Sequence, residues 1–203
     1  ALSGLTFDEE NDRNRSMEKP DQDQPGRKAS DLNPNLVVAP SRAYRHLFTK
    51  MRDINTPPSD FFHYAKRAMR LLAEEAIAEL PSQRNVEVMT PCGPAPGVEI
   101  NTANVCAVSI IRAGDSLLEA VRECLLGVKT GKILIQRNEE SKEKEPKLFY
   151  SKMPPGVDKM DILLCDPMLA TGGSAKMAIL TLVTKYNVDP ARIVFANMIC
   201  CPE

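Results

Sequence analysis

The sequence predicts an α/β fold with a mainly parallel sheet flanked by helices, and three observations favour it. Apolar, strand-like runs alternate with helical stretches between residues 105 and 199. One such run, residues 162–165, ends on the acid Asp166 and leads through a turn of small residues into a helical stretch. The chain has 203 residues, of which 43% are hydrophobic. This is enough to fill the core of one α/β domain with tails.

The N-terminal part predicts a tail and then helices. Residues 1–35 are polar and charged, and their few apolar residues follow no period. We expect them to form a disordered tail before a domain that spans residues 36–203. Residues 41–54 predict a first short helix.

A longer helix is predicted next, with Ser59 or Asp60 as its cap and Pro81 as its limit. It is favoured by apolar residues at helical spacing, namely Phe62, Ala65, Met69, Leu72, Ala76 and Leu80. Short strands are predicted at residues 86–90 and 98–101, on either side of a connection rich in proline and glycine.

The central part of the chain alternates between strands and helices. Strands are predicted at 105–111, 132–137, 148–152, 161–165 and 192–199, and helices at 115–126 and 174–186. Alternation of this kind produces parallel strands, whose carboxyl ends share one edge of the sheet. Ligands bind beyond that edge in such folds.

Three segments bring polar residues to the predicted edge. Arg112 lies in a tight turn, Arg112-Ala113-Gly114, before a helix that Asp115 is expected to cap. Arg137 ends the next strand and opens a charged stretch, residues 138–147, which predicts either a solvated hairpin or a mobile flap over a ligand. Two arginines at strand ends beside a phosphate-binding turn would clamp a second anionic group.

The third segment, residues 166–174, predicts a phosphate-binding turn. Ala170, Thr171, Gly172, Gly173 and Ser174 precede a helix, whose first backbone N–H groups and dipole favour an anion. A simple tight connection is the alternative. No Gly-Lys-Ser/Thr occurs in the turn, which excludes a Walker-type loop, and the adjacent glycines lack the spacing of a dinucleotide fingerprint. Because a carboxylate repels phosphate, Asp166 is expected to serve hydroxyls or a cation-linked group on the same ligand. A sugar phosphate is the first ligand class that this predicts.

Composition narrows the class of protein further. The net charge of −1 gives no reason to expect nucleic acid or a membrane surface as a partner, and no apolar run is long enough to span a bilayer. The six cysteines lack the spacing of a zinc site and are interpreted as reduced thiols, four of them in the core, of a cytoplasmic protein. With only two histidines, a histidine-based metal site or triad is poorly supported, and His63 is expected to pack within a helix.

Several segments of the sequence resemble those of a known family. The segments DPMLATGGS (166–174), SIIRAG (109–114) and GKILIQRNEE (131–140) together resemble the uracil phosphoribosyltransferases, which are type I phosphoribosyltransferases. The segment EPKLFYSKMP (145–154) and the helical region 51–76 are also similar to this family. The resemblance covers roughly residues 40–203. It implies a phosphoribosyltransferase type I-like fold with N-terminal helices and a flexible arm.

The resemblance implies a glycosyltransferase of pyrimidine salvage that converts uracil and 5-phosphoribosyl diphosphate to UMP and diphosphate. It implies that Asp166 meets the ribose hydroxyls and that Thr171 to Ser174 bind the 5-phosphate. Arg112, with Ala113 and Gly114, and Arg137 are implied to hold the diphosphate. The substrate-binding loop as a whole is Asp166, Pro167, Met168, Leu169, Ala170, Thr171, Gly172, Gly173 and Ser174. The implied catalytic residues are Arg112, Arg137 and Asp166. Magnesium is implied to bind through the diphosphate, with no ligand from the protein.

The resemblance also implies a homo-oligomer, either a dimer or a tetramer. GTP activates some eukaryotic relatives; here Arg52 and Asp53 match them but Ile54 does not. By this resemblance the uracil-binding segment falls beyond Glu203, so we expect the sequence to be truncated at its C-terminus. Two alternatives stay open: a non-catalytic transferase-like module, as in uridine kinase fusions, and a phosphoribosyltransferase for another base.

Overall fold

The computed structural model describes residues 3–7, 33–137 and 146–200. Its strands are β1 (Ser3–Phe7), β2 (Leu36–Val38), β3 (Gln83–Thr90), β4 (Gly93–Ile100), β5 (Val105–Ile111), β6 (Lys129–Arg137), β7 (Pro146–Lys152), β8 (Asp161–Cys165), β9 (Met168–Leu169) and β10 (Ile193–Cys200). Its α-helices are α1 (Ala43–Arg52), α2 (Pro58–Ala78), α3 (Gly114–Cys124) and α4 (Gly173–Tyr186).

The main sheet confirms the predicted α/β class. Its strand order is β2-β1-β10-β8-β5-β6-β7, and β9 also pairs with β10. The strands pair in parallel, apart from the edge pair β6–β7, which is antiparallel. The carboxyl ends of β5, β6 and β8 therefore lie at one edge of the sheet.

Both faces of the sheet are covered, because the side chains of a strand alternate between faces. Along β5, Val105 and Ala107 pack with α1, α2 and α3, whereas Cys106 and Val108 pack with α4. Strands buried on both faces read as continuous apolar runs. This is why the predicted bounds of β5 and β8 are confirmed to the residue.

The predicted disordered tail is wrong for five residues. Ser3–Phe7 form β1, which pairs in parallel with β10 on one side and β2 on the other. The local sequence predicted no strand here because these residues gain order through pairing with β10, whose residues are more than 190 positions away in the chain. Residues 8–32, in the rest of the predicted tail, lie outside the described residues.

The predicted N-terminus of the long helix is also wrong. Helix α2 begins at Pro58, so Ser59 and Asp60 lie inside its first turn and cap nothing. Proline is favoured there because the first helical N–H has no partner within the helix. The side chain of Phe62 is 71% exposed and does not belong to the core face of α2.

The two strands predicted around residues 91–97 form a hairpin that is longer than expected. β3 and β4 pair antiparallel from Gln83–Ile100 to Thr90–Gly93, so only Pro91 and Cys92 form the turn. β4 contains Pro94 and Pro96, which face the same way along the strand. A two-stranded sheet tolerates them because a proline on the outer side of an edge strand removes no ladder hydrogen bond.

The predictions for the cysteines and for His63 are each confirmed only in part. Cys106 and Cys165 are buried, as expected of core thiols, whereas Cys92 is exposed. His63 lies in α2 but is exposed, and its ring contacts the neighbouring Tyr64 edge-on. Within the described residues, no helix combines the length and the apolar character that crossing a bilayer requires.

Candidate active site

The connection between β8 and α4 is the centre of the site. β8 ends at Cys165, and its backbone continues through Asp166 and Pro167 into the short strand β9. Ala170 and Thr171 are exposed, and Gly172, Gly173 and Ser174 are half-buried, so the turn is open to solvent. This is the location at the sheet edge where an α/β fold binds ligands.

Helix α4 offers free donors at this turn. Gly172 has φ 73°, a left-handed conformation that a glycine adopts at no steric cost. Its carbonyl accepts the N–H of Lys176 at 2.8 Å, while no side chain among the described residues caps the helix. The first N–H groups of α4 are therefore oriented toward the open turn, together with the positive end of the helix dipole. A phosphate group fits this arrangement.

Asp166 is a buried carboxylate next to these donors. It is 8% exposed, and this burial raises its pKa to about 6, while the hydrogen bond from the N–H of Met168 acts in the opposite direction. The Met168 N–H lies 3.5 Å from Oδ1 of Asp166, at the limit of a hydrogen bond. The carboxylate is thus poorly satisfied by the protein. Hydroxyl donors from a ligand would supply what it lacks.

Arg112 lies in the turn between β5 and α3, after a cis peptide bond between Ile111 and Arg112. Its carbonyl accepts the N–H of Asp115 at 3.1 Å, and its side chain is exposed. The predicted cap at Asp115 is wrong, because α3 begins at Gly114 after Ala113 and no side chain caps it within the described part of the chain. Asp115 lies in the first turn instead, with Oδ2 3.0 Å from Nζ of Lys132.

The charge of Asp115 is stabilised by its neighbours. Burial opposes its ionisation, but the Ser109 hydroxyl and the Lys132 ammonium outweigh this and lower its pKa. Lys132 lies on β6 opposite Ser109 of β5. The ion pair therefore joins the Arg112 turn to β6, although both partners are too exposed for it to contribute much stability.

Gly114 places the Arg112 turn against the end of β8. A Cβ atom at Gly114 would overlap the carbonyl oxygen of Cys165 and lie 2.9 Å from Oγ of Ser109. Only glycine leaves room for this approach. Because Cys165 directly precedes Asp166, the contact fixes the spacing between the arginine turn and the carboxylate.

The predicted segment that starts at Arg137 reaches the same edge through its backbone. Arg137 ends β6 and pairs with Pro146 of β7, and a Cβ atom on Gly173 would lie 3.3 Å from Cγ of Pro146. The glycine turn before α4 thus contacts the start of β7. The side chain of Arg137, and residues 138–145 of the predicted flap, lie outside what the structure describes.

Sequence reasoning missed one buried polar residue at the site, Asn197. Its Nδ2 donates to the carbonyl oxygen of Asp166 at 2.9 Å, and its side chain is fully buried. A signal was present, because Asn197 is the single amide in the apolar run of β10. The run was interpreted only as a core strand.

Residues 38–203 match the family model described as uracil phosphoribosyltransferase. The chain is similar to the uracil phosphoribosyltransferase of Saccharomyces cerevisiae, with 45% identity over 157 residues that cover 77% of this chain and 71% of the yeast protein. It is also 39% identical over 174 residues to uridine kinase-like protein 3 of Arabidopsis thaliana, covering 85% of this chain and 36% of that protein.

A solved structure of a protein from Aquifex aeolicus has the same fold. It aligns with a TM-score of 0.58 at 24% identity, covering 80% of this chain and 86% of the other. At that identity the likeness concerns the fold alone. The family match and the sequence relatives carry the functional conclusion.

Proposed function

Because the chain belongs to the uracil phosphoribosyltransferase family, we propose that it transfers the 5-phosphoribosyl group of phosphoribosyl diphosphate to uracil, giving UMP and diphosphate. The observation that carries this is the order of groups at one strand end: a buried carboxylate, Asp166, followed by a glycine turn and the open N-terminus of α4. A ribose phosphate needs both, the first for its hydroxyls and the second for its phosphate.

In this proposal each segment of the site has one role. Asp166 accepts hydrogen bonds from the ribose hydroxyls, and the backbone from Thr171 to Ser174 binds the 5-phosphate. Arg112 and Arg137 bind the diphosphate, which must depart with its negative charge stabilised. The ring nitrogen of uracil attacks the anomeric carbon as the bond to diphosphate breaks. Alignment and charge stabilisation then suffice, and no protein nucleophile is required.

The residues at this site fit a magnesium ion only if the ion is held by the bound substrate. They provide arginine cations, backbone N–H groups and one carboxylate, whereas Mg²⁺ prefers phosphate oxygens and retained water. The diphosphate and sugar oxygens hold the ion in this proposal. When bound, it neutralises charge on the leaving group.

The finer assignments follow from the family. We propose a role in pyrimidine salvage in the cytoplasm and assembly as a homodimer or homotetramer. GTP is a candidate activator only, because Ile54 departs from the relatives that GTP activates. The relatives named uracil phosphoribosyltransferases favour the transferase over a non-catalytic module and over another base.

The proposal is tested by following UMP formation from phosphoribosyl diphosphate, magnesium and uracil, with cytosine, hypoxanthine and guanine in parallel. Product from uracil alone supports the proposal. Product from a purine only would assign the chain to another base. Absence of any product from the folded full-length protein would favour the non-catalytic alternative.

Arg112→Ala is expected to lower turnover on the order of 10²-fold, the usual cost of losing one fixed donor to a departing anion. Its side chain is exposed, so the midpoint of thermal unfolding should not change. Arg122→Ala is the matched control, since Arg122 is also exposed but lies in the last turn of α3. Wild-type turnover in Arg112→Ala would remove this residue from the site.

A further inference from the structure

The hydrogen-bond ladder between β8 and β10 is interrupted next to the site. Cys165 pairs with Ala196, and three residues later on each strand Met168 pairs with Ile199. The register is unchanged, so Asp166 and Pro167 interrupt the pairing opposite residues 197 and 198. Proline has no N–H to donate, which prevents the ladder from continuing in the regular way.

The backbone of β10 pairs with only some of the N–H and C=O groups of Asp166 and Pro167. The N–H of Asp166 donates to the carbonyl of Ala196 at 3.2 Å. The N–H groups of Met198 and Ile199 both donate to the carbonyl of Pro167, at 3.3 and 3.0 Å. Among the described residues, no backbone N–H donates to the carbonyl of Asp166.

The side chain of Asn197 supplies the missing donor to the Asp166 carbonyl. Its Nδ2 donates to the carbonyl oxygen of Asp166 at 2.9 Å, and the residue is 0% exposed. Its own Oδ1 is buried with no hydrogen-bond partner among the residues described. An unpaired buried acceptor lowers stability, so an apolar side chain of similar volume would suit the core better.

We propose that Asn197 is a positioning residue that holds the backbone of Asp166, and through it the carboxylate, in the orientation that receives the ribose hydroxyls. This rests on the function proposed above. Asn197 does not touch the substrate; its effect passes through one hydrogen bond to Asp166. The arginine turn reaches β8 by a different contact, at Gly114, and does not depend on Asn197.

Ribose 5-phosphate and inorganic diphosphate are the two halves of the proposed substrate. Measuring each alone tests whether Asn197 affects Asp166 without affecting the arginine turn. In the full chain, Asn197→Leu is expected to weaken binding of ribose 5-phosphate about tenfold by calorimetric titration and to leave binding of inorganic diphosphate unchanged. The midpoint of thermal unfolding should change little, because the lost hydrogen bond is offset by removal of the unpaired Oδ1. Asn197→Ser, which is smaller and too short to reach the Asp166 carbonyl, should show the same selective loss if Asn197→Leu does not fold.

The control is Val194→Ala, a buried residue nearer the start of the same strand, which should lower stability without changing either affinity. Equal ribose 5-phosphate affinity in wild type and Asn197→Leu would overturn the role of Asn197 and leave the proposed function intact. Equal weakening of both ligands would show a structural role only and would also overturn it. Binding of neither ligand by folded wild-type protein would overturn the proposed function, and this inference with it.

Discussion

Gly114→Ala is expected to lower turnover by about 10³-fold or more and to destabilise the protein. The added Cβ atom overlaps the carbonyl oxygen of Cys165, which is backbone and cannot rotate away. Either the Arg112 turn or the end of β8 must move by about 1 Å. A displacement of that size costs about 10²-fold at a catalytic group, and here it separates Arg112 from Asp166, so that both are affected.

The matched control is Gly97→Ala in the β3–β4 hairpin. There a Cβ atom would make ordinary contacts of 3.7 to 3.9 Å with Val86 and Val88. Turnover is measured as UMP formation and stability as the free energy of unfolding in denaturant, for both variants and wild type. The expectation fails if Gly114→Ala keeps wild-type turnover, because the site would then not need the close approach of the two segments.

The example of Gly114 shows what sequence alone could give at this site. The motif predicted a turn after the buried strand correctly, but it placed Gly114 in that turn, whereas Gly114 is the first residue of α3. Its contact with Cys165 depends on the pairing of β5 with β8, whose paired residues are 56 positions apart, and no local pattern encodes this pairing. The same reason explains why β1 was missed, since its order comes from β10.

Local patterns were also misleading where two residues competed for one role. Ser59 and Asp60 are good capping residues, but Pro58 precedes them and already fits the first helical position. Asp115 is likewise a good cap, yet it lies in the first turn of α3 and is the ion-pair partner of Lys132. The presence of these polar residues therefore indicated that a helix begins nearby. Which residue precedes the first helical turn was seen only in the structure.

Asp166→Asn is expected to abolish most activity and at the same time to stabilise the protein at neutral pH. In the proposed complex two ribose hydroxyls lose a charged acceptor, and a hydrogen bond to a charged group contributes about 1.5–3 kcal/mol. Together these correspond to a loss of about 10³-fold in kcat/KM. Asparagine has nearly the same shape and keeps an oxygen for the N–H of Met168, so the loop should retain its conformation.

The gain in stability follows from the sign of the pKa shift. Burial raises the pKa of Asp166 from 3.8 to about 6, so the folded protein holds this proton more tightly than the unfolded chain does. The contribution of protonated Asp166 to the free energy of unfolding is fully present below pH 3.8. It falls as the pH rises from 3.8 to about 6 and is lost above that pH. Since one pKa unit corresponds to about 1.4 kcal/mol, ionised Asp166 lowers stability at pH 7.5 on the order of 3 kcal/mol.

Removing the charge should therefore raise the free energy of unfolding at pH 7.5 by about that amount and change it little at pH 3.5. Asp158→Asn is the control, because Asp158 is exposed and lies away from the strand ends of the site. Equal stability of wild type and Asp166→Asn at pH 7.5 would mean that solvent already satisfies the carboxylate. A stabilised but inactive Asp166→Asn would instead show that the chain keeps an unfavourable buried charge where the ribose hydroxyls bind, because an acceptor poorly satisfied by the protein is the one that a ligand can satisfy.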